Sequence, residues 1–296
     1  MASRGIDQLP LVVIVGPTAS GKTSLAIELA EEFGGEIICA DSRTVYKGMD
    51  IGTAKPTPKE QARVPHWGLD LVGPDERFTA ADFKRYANQK IDDIRQRGRI
   101  PFLVGGTGLY VDAVVFDYEF GASEDEILRE KLNSLSLEQL YEYCDKHNVV
   151  LPENKLNKRY VIRAIERKSI SGKRNSRPIS PSIIVGIATD KDVLRQRIEE
   201  RSEHLFDNGV VEEATKLGKI YGWESEAMTG NIYPLIHSYL ENKISYEEMK
   251  EKFTTLDWRL AKRQLTWLKR NPYIKWLQLT EAKDYLSQLL ANEQKS

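Results

Sequence analysis

Apolar positions along this chain recur at two periods. Leu11–Val15 is a continuous, mostly β-branched run, compatible with a strand buried on both faces. Within Thr23–Phe33, Leu25, Leu29, Ala30 and Phe33 fall at helical spacing, and Gly34-Gly35 supplies a stop. Glu36–Ala40 reads as a second strand, ending at Asp41. Gly48–Pro74 is rich in Gly and Pro and reads as loops. Thr79–Arg97 reads as a helix with Thr79 as its N-cap, with Phe83, Ala87, Ile91 and Ile94 on one face, and with Gly98 as its stop. Ile100–Val104 is a further strand, running into Gly105-Gly106-Thr107-Gly108. Strand and helix alternate, which predicts an α/β fold with a parallel sheet flanked by helices.

The pattern changes after Tyr118. Ser123–His147 and Leu156–Ile170 read as helical with no strand between them, and a Ser/Gly/Lys/Arg/Pro stretch, Ser169–Pro181, follows. Ile183–Ile187 resumes as a strand and Asp190–Asn208 as a helix ending at Gly209. Residues 119–180 are therefore expected to be a helical insertion. Residues 1–118 and 181–296 are expected to form the core, with a mostly helical C-terminal part.

Composition narrows the class. The 296 residues carry 43 Lys and Arg against 44 Asp and Glu, a net charge of −1, with 41% hydrophobic residues. That is an ordinary globular balance, and it excludes a wholly disordered or globally basic chain. Cys39 and Cys144 cannot build a disulfide framework or a four-ligand zinc site by themselves, so a reduced, cytoplasmic setting is expected. No apolar run approaches the roughly 18 residues of a membrane-spanning helix, and no membrane association is expected.

One motif carries chemistry outright. Gly16-Pro17-Thr18-Ala19-Ser20-Gly21-Lys22-Thr23 matches G-x-x-x-x-G-K-[ST] in full, between a strand and a helix. Glycines let successive N–H groups converge on an anion, and the helix N-terminus adds positive potential. Lys22 supplies a mobile charge for phosphate oxygens and Thr23 a hydroxyl for Mg²⁺. Nucleoside-triphosphate enzymes of this kind usually place a metal-holding acid at the end of a second strand. Here Ile100–Val104 ends in Gly-Gly-Thr-Gly, without a carboxylate. The acid that does end a strand is Asp41, which the residues alone leave open as metal ligand, general base or cap of a turn with Ser42.

The run Asp41-Ser42-Arg43-Thr44-Val45-Tyr46-Lys47-Gly48-Met49-Asp50-Ile51-Gly52-Thr53-Ala54-Lys55-Pro56 resembles the D-S-x-x-x-Y-[KR]-x-[ML]-x-I-G-T-A-K-P signature of the tRNA dimethylallyltransferases. Pro65-His66, Phe78–Phe83, Gly105–Tyr110, Arg163–Glu166 and Ala261–Trp267 agree with the same family, so the resemblance covers nearly the whole chain. It implies a P-loop NTPase/kinase-like core that uses Mg²⁺. The implied reaction moves a dimethylallyl group from dimethylallyl diphosphate to N6 of the adenosine 3′ of a tRNA anticodon. The phosphate loop, Gly16 to Thr23, would then hold a diphosphate leaving group, with Thr23 on the metal. By resemblance Asp41 is the general base, and Lys22, Thr23 and Arg201 serve the diphosphate. Asp41, Ser42, Arg43, Thr44, Thr107, Arg129, Arg159, Tyr160, Arg163, Lys262 and Arg263 match positions that meet tRNA.

Charge segregation agrees with an RNA partner. Lys155–Arg177 holds Lys155, Lys158, Arg159, Arg163, Arg167, Lys168, Lys173, Arg174 and Arg177 against the single acid Glu166. Trp258–Trp276 holds six basic residues and no acid, interleaved with Trp258, Trp267, Tyr273 and Trp276. Basic groups neutralise phosphates and aromatics stack on exposed bases. An anticodon stem-loop clasped by the insertion, and a monomer, are expected.

Three stretches depart from the family pattern. A Gly-Tyr pair appears as Gly230-Asn231-Ile232-Tyr233. T-R-x-[YLF] before Ala-Lys-Arg-Gln is Asp257-Trp258-Arg259-Leu260, and a second insertion arginine is Tyr160. The competing readings are a P-loop nucleotide or metabolite kinase, a free-adenylate isopentenyltransferase, and an RNA-binding protein that keeps a phosphate loop without catalysis.

Overall fold

The computed structural model describes residues 9–120, 126–166 and 173–295. Two compact units emerge, residues 1–116 with 177–296, and residues 117–176. The breaks fall two and four residues before the boundaries expected from the sequence.

The larger unit is built on a six-stranded parallel sheet. Its strands are β1 (Leu11–Val15), β2 (Gly35–Cys39), β3 (His66–Trp67), β4 (Ile100–Gly105), β5 (Ser182–Ile187) and β6 (Lys275–Leu277), in the order β3-β2-β4-β1-β5-β6. β1 lies in the middle, with Val13 opposite Leu103 on one side and Ile184 on the other. Every residue of β1, β2 and β4 is buried, as the continuous apolar runs require when helices cover both faces.

Helix α1 (Lys22–Phe33) starts from Gly21, held at φ 87°, and stops at Gly34, whose left-handed backbone donates its N–H to the Ala30 carbonyl. After a single-turn helix, α2 (Pro58–Gln61), comes α3 (Ala80–Gln96), which opens with a capping box. Thr79 Oγ1 accepts from the Asp82 N–H, and the Asp82 carboxylate accepts from that of Thr79. Helix α4 (Gly108–Val115) leaves β4 directly.

The smaller unit contains α5 (Glu126–Ser134), α6 (Leu137–Lys146) and α7 (Lys158–Glu166), packed around Leu132, Leu140, Cys144, Val161, Ile162 and Ile165. The single helix expected over 123–147 is two, because Ser136 and Gln139 form a capping box that starts α6 afresh. Residues 123–125 and 167–170 of the two expected helices lie outside the described residues.

The C-terminal part of the larger unit adds α8 (Lys191–Asp207), α9 (Val210–Tyr221), α10 (Tyr233–Leu240), α11 (Tyr246–Leu268) and α12 (Leu279–Lys295). Asp190 caps α8 by accepting from the Asp192 and Val193 N–H groups. The stretch 48–74, read as loops, contains α2 and the two-residue β3. The basic aromatic run ends in β6, an edge strand of three residues. Both strands are too short for a period-two pattern and exist through pairing, Ile37 with His66 and Gly186 with Trp276. Among the described residues no helix is long and apolar enough to cross a membrane.

Candidate active site

Three loops leave the carboxyl ends of adjacent strands: Gly16–Gly21 after β1, Ala40–Asp41 after β2, and Gly106-Thr107 after β4. In an open parallel sheet this edge is where ligands bind.

The phosphate loop curls on itself. The Ser20 N–H donates to the Pro17 carbonyl at 3.3 Å, while Ala19 and Gly21 take left-handed backbones, φ 61° and 87°. Alternation of this kind turns N–H groups inward and makes an anion nest. At Gly16 a Cβ would stand 2.7 Å from Ser20 Oγ, so any larger residue would force the Ser20 hydroxyl to move. The Lys22 ammonium folds back over the loop and donates to the Pro17 carbonyl at 3.1 Å. Enclosure by the protein lowers its pKa to about 8. The Asp41 carboxylate opposes that shift and the Arg201 guanidinium adds to it. Lys22, Asp41 and Arg201, far apart in sequence, thus share one electrostatic site.

Asp41 stands two residues past the end of β2. Its Oδ1 accepts from the Arg43 N–H at 2.8 Å, capping the turn, and Oδ2 has no protein partner among the described residues. Capping therefore occupies one oxygen and leaves the other for chemistry. The β4 loop braces this turn: Thr107 Oγ1 accepts from the Ser42 N–H at 3.1 Å, and the Thr107 N–H donates to the Ala40 carbonyl at 3.3 Å. A Cβ on Gly105 would stand 2.1 Å from the Ala40 carbonyl oxygen, so glycine permits this contact.

The rest of the signature run holds the Asp41 turn from behind. Buried Lys55 donates to Asp50 and Asp70, both at 2.6 Å, and to the Tyr46 carbonyl at 3.1 Å. Glu213 of α9 accepts the N–H groups of Asp50, Ile51 and Gly52 at 2.8, 2.7 and 2.9 Å, and the Tyr233 hydroxyl at 3.0 Å. Arg43, expected to meet RNA, points its guanidinium at the Glu226 and Ala227 carbonyls, 2.9 and 3.3 Å away. Thr44 is buried.

Helix α11 closes another side. Gln264 Oε1 accepts the Thr18 N–H of the phosphate loop at 2.8 Å. Trp267 packs where a Gly108 Cβ would be, 2.1 Å from its Cδ1, and donates its indole N–H to Asp112 at 2.7 Å. Just before Gln264, Lys262 and Arg263 are exposed, with the Lys262 ammonium 5.2 Å from the Trp258 ring centre. Arg201 of α8 is ion-paired with Asp257 of α11.

The remaining expected RNA contacts belong to the smaller unit. Arg129 and Arg163 both lie 3.1 Å from the Glu166 carboxylate, whereas Arg159 is exposed and Tyr160 is 50% exposed.

The donor set near the loop suits Mg²⁺. The Thr23 hydroxyl and the open Asp41 oxygen are hard ligands. The described residues hold no cluster of three or more His, Cys, Asp or Glu that could cage an ion. Mg²⁺ ordinarily takes one or two protein oxygens and completes its shell with water and substrate phosphate.

Sequence reasoning missed Gln264, Asp112 and Glu213 as organisers of the site. Each acts on backbone or on a partner more than 150 residues away, which no local pattern signals.

The sequence model of the IPP transferase family matches residues 44–271, and that of isopentenyl transferase matches residues 9–67. A tRNA dimethylallyltransferase of Thermoanaerobacter sp. (strain X514) is 40% identical over 94% of both chains. One from Geobacillus thermodenitrificans is 38% identical over 93% of this chain and 92% of its own. The crystal structure of a tRNA isopentenylpyrophosphate transferase from Bacillus halodurans superposes with a TM-score of 0.74 and 34% identity, covering 97% of this chain and 99% of the other. A eukaryotic dimethylallyltransferase, crystallised acting on tRNA, shares the fold at 23% identity, with a TM-score of 0.76 over 92% of this chain and 74% of its own. With a phosphate loop and a strand-end aspartate on one sheet edge, and relatives matched nearly end to end, this chain belongs to the tRNA dimethylallyltransferase (IPP transferase) family.

Proposed function

We propose that this protein transfers a dimethylallyl group from dimethylallyl diphosphate to N6 of the adenosine 3′ of the anticodon in tRNA, releasing diphosphate. The observation that carries this reading is that Lys22, after β1, and Asp41, after β2, share one electrostatic site on the same sheet edge, while β4, which lies between those strands, ends without a carboxylate. A loop so equipped holds a diphosphate that leaves, beside a carboxylate that can face the incoming nucleophile.

The residues divide the work. Negative charge grows on the departing diphosphate, and Lys22, the loop N–H groups and Arg201 stabilise it. An exocyclic adenine amine is a weak nucleophile that must lose a proton as it attacks, and the open oxygen of Asp41 accepts it. Mg²⁺, held by Thr23 and the diphosphate, supplies further neutralisation of that charge when bound. In the larger unit Lys262 and Arg263 on α11 offer cations to the phosphates of an anticodon stem-loop, whose unpaired base swings out at modest cost; the smaller unit by itself offers a cation and a ring, Arg159 and Tyr160 on α7.

Incubation with labelled dimethylallyl diphosphate, Mg²⁺ and total tRNA tests the reading directly. Label is expected in tRNA, on the adenosine next to the anticodon. Label in a small acceptor, or none in RNA with wild-type protein, would overturn it.

A further inference from the structure

Helices α8 and α11 meet along an apolar seam. Leu194, Ile198, Leu205 and Phe206 are the buried apolar residues of α8, and Met249, Phe253, Ala261 and Leu268 those of α11. Leu194, Ile198 and Ala261 share one cluster with Trp258 and Leu265. On α11, Asp257 stands four residues after Phe253 and four before Ala261, where helical spacing calls for one more apolar residue, and on α8 Arg201 stands one turn after Ile198, beside buried Ser202. Arg201 Nη1 donates to Asp257 Oδ2, and Asn231 Nδ2 donates to Asp257 Oδ1 at 3.2 Å. The Asp257 side chain is 4% exposed and that of Arg201 21%.

An ion pair inside an apolar seam is a poor device for stability, since apolar residues of similar size often do as well or better. Its distinctive effect is directional. The carboxylate, itself braced by Asn231, holds the guanidinium from the α11 side, while α8 abuts the phosphate loop, where Arg197, one turn before Arg201, donates from Nη1 to the Ser20 carbonyl at 3.5 Å. Asp257 and Asn231 also lie within two of the stretches where this chain departs from the family pattern. The two departures therefore meet around an arginine that does not depart.

We propose that Asp257, braced by Asn231, is a positioning residue that fixes the Arg201 guanidinium in the orientation that stabilises the departing diphosphate. The inference rests on the prenyl-transfer reading above. A misaligned arginine still attracts a bound diphosphate but no longer follows the charge that develops as the bond breaks, so the rate falls while ground-state affinity does not.

The test uses the full chain with Mg²⁺ and reads two quantities. In Asp257→Asn, kcat for transfer to tRNA is expected to fall ~10- to 100-fold, the scale of misplacement by about an ångström. Affinity for inorganic diphosphate, measured calorimetrically, is expected to stay equal or tighten, because a nearby negative charge has gone. Asn231→Ala removes only the brace and is expected to shift kcat the same way by less, which covers the case in which Asp257→Asn fails to fold. In an Arg201→Ala background, Asp257→Asn is expected to lower kcat no further. Effects of Asp257→Asn and Arg201→Ala that multiply, or kcat and diphosphate affinity that fall together, would overturn the proposal. The diphosphate measurements also separate the two readings. If Asp257→Asn alters diphosphate affinity only while Arg201 is present, yet wild-type protein prenylates no tRNA, the tRNA reading fails and the clamp stands.

Discussion

Replacing Lys22 with methionine separates what the enclosed cation does for the fold from what it does for the reaction. Enclosure lowers the ammonium from 10.5 to about 8. Each unit corresponds to about 1.4 kcal/mol, so below pH 8 the charged Lys22 destabilises the ligand-free fold by ~3 kcal/mol. Removing it also removes the hydrogen bond to the Pro17 carbonyl, worth roughly 1 kcal/mol. Lys22→Met is therefore expected to be ~2 kcal/mol more stable than the wild type near neutral pH, with transfer abolished. The sign of the pH dependence follows from proton counts. Between pH 8 and 10.5 the unfolded chain still holds a proton that native Lys22 has lost. Wild-type stability therefore rises with pH relative to the variant, and by pH 10.5 the wild type should lead by roughly 1 kcal/mol. Urea unfolding followed by tryptophan fluorescence is a suitable assay. Trp67, Trp223, Trp258, Trp267 and Trp276 all lie in the sheet-containing unit, so the signal reports that unit alone. Other ionisations cancel in the difference if the urea slopes agree. A stability difference that stays flat from neutral pH to about 10.5, or a less stable variant at neutral pH, would refute the reasoning.

Asp41→Asn is expected to lower kcat by ~10²–10⁴-fold with little change in binding of either substrate. A Mg²⁺ titration checks the role, since substantial rescue would make Asp41 a metal ligand in place of a base. Charge reversal at Lys158 and Arg159 should weaken tRNA binding and flatten its salt dependence, because fewer counterions are released, and filter binding across a salt series reads both effects. Gly108→Ala pushes a methyl into the Trp267 ring and should loosen the Asp112–Trp267 bond, costing about 1–3 kcal/mol as an overpacked site does. An unchanged unfolding midpoint would show that α11 moves aside freely.

The linear pattern was enough for much of this molecule. Buried strands such as Leu11–Val15 and Ile100–Gly105 are continuous apolar runs because both their faces are covered. The phosphate loop is legible because its function needs glycines, a lysine and a hydroxyl at fixed local spacing. Thr79 and Gly34 mark helix ends because caps satisfy backbone groups within one turn. Other features have no such local cause. The β3 and β6 strands are only two and three residues long and exist through pairing with neighbours that the chain reaches by long crossovers. The break between α5 and α6 hangs on one capping box inside an otherwise helical stretch. That Asp41 keeps one oxygen open, that Arg43 turns toward carbonyls around Glu226, and that Gln264 caps the Thr18 N–H depend on where separate segments meet. Arg201 and Asp257 show the division most plainly. Each reads in isolation as a charge on a helix, and only the packing of α8 against α11 joins them, because a buried charge has no stable place without its partner.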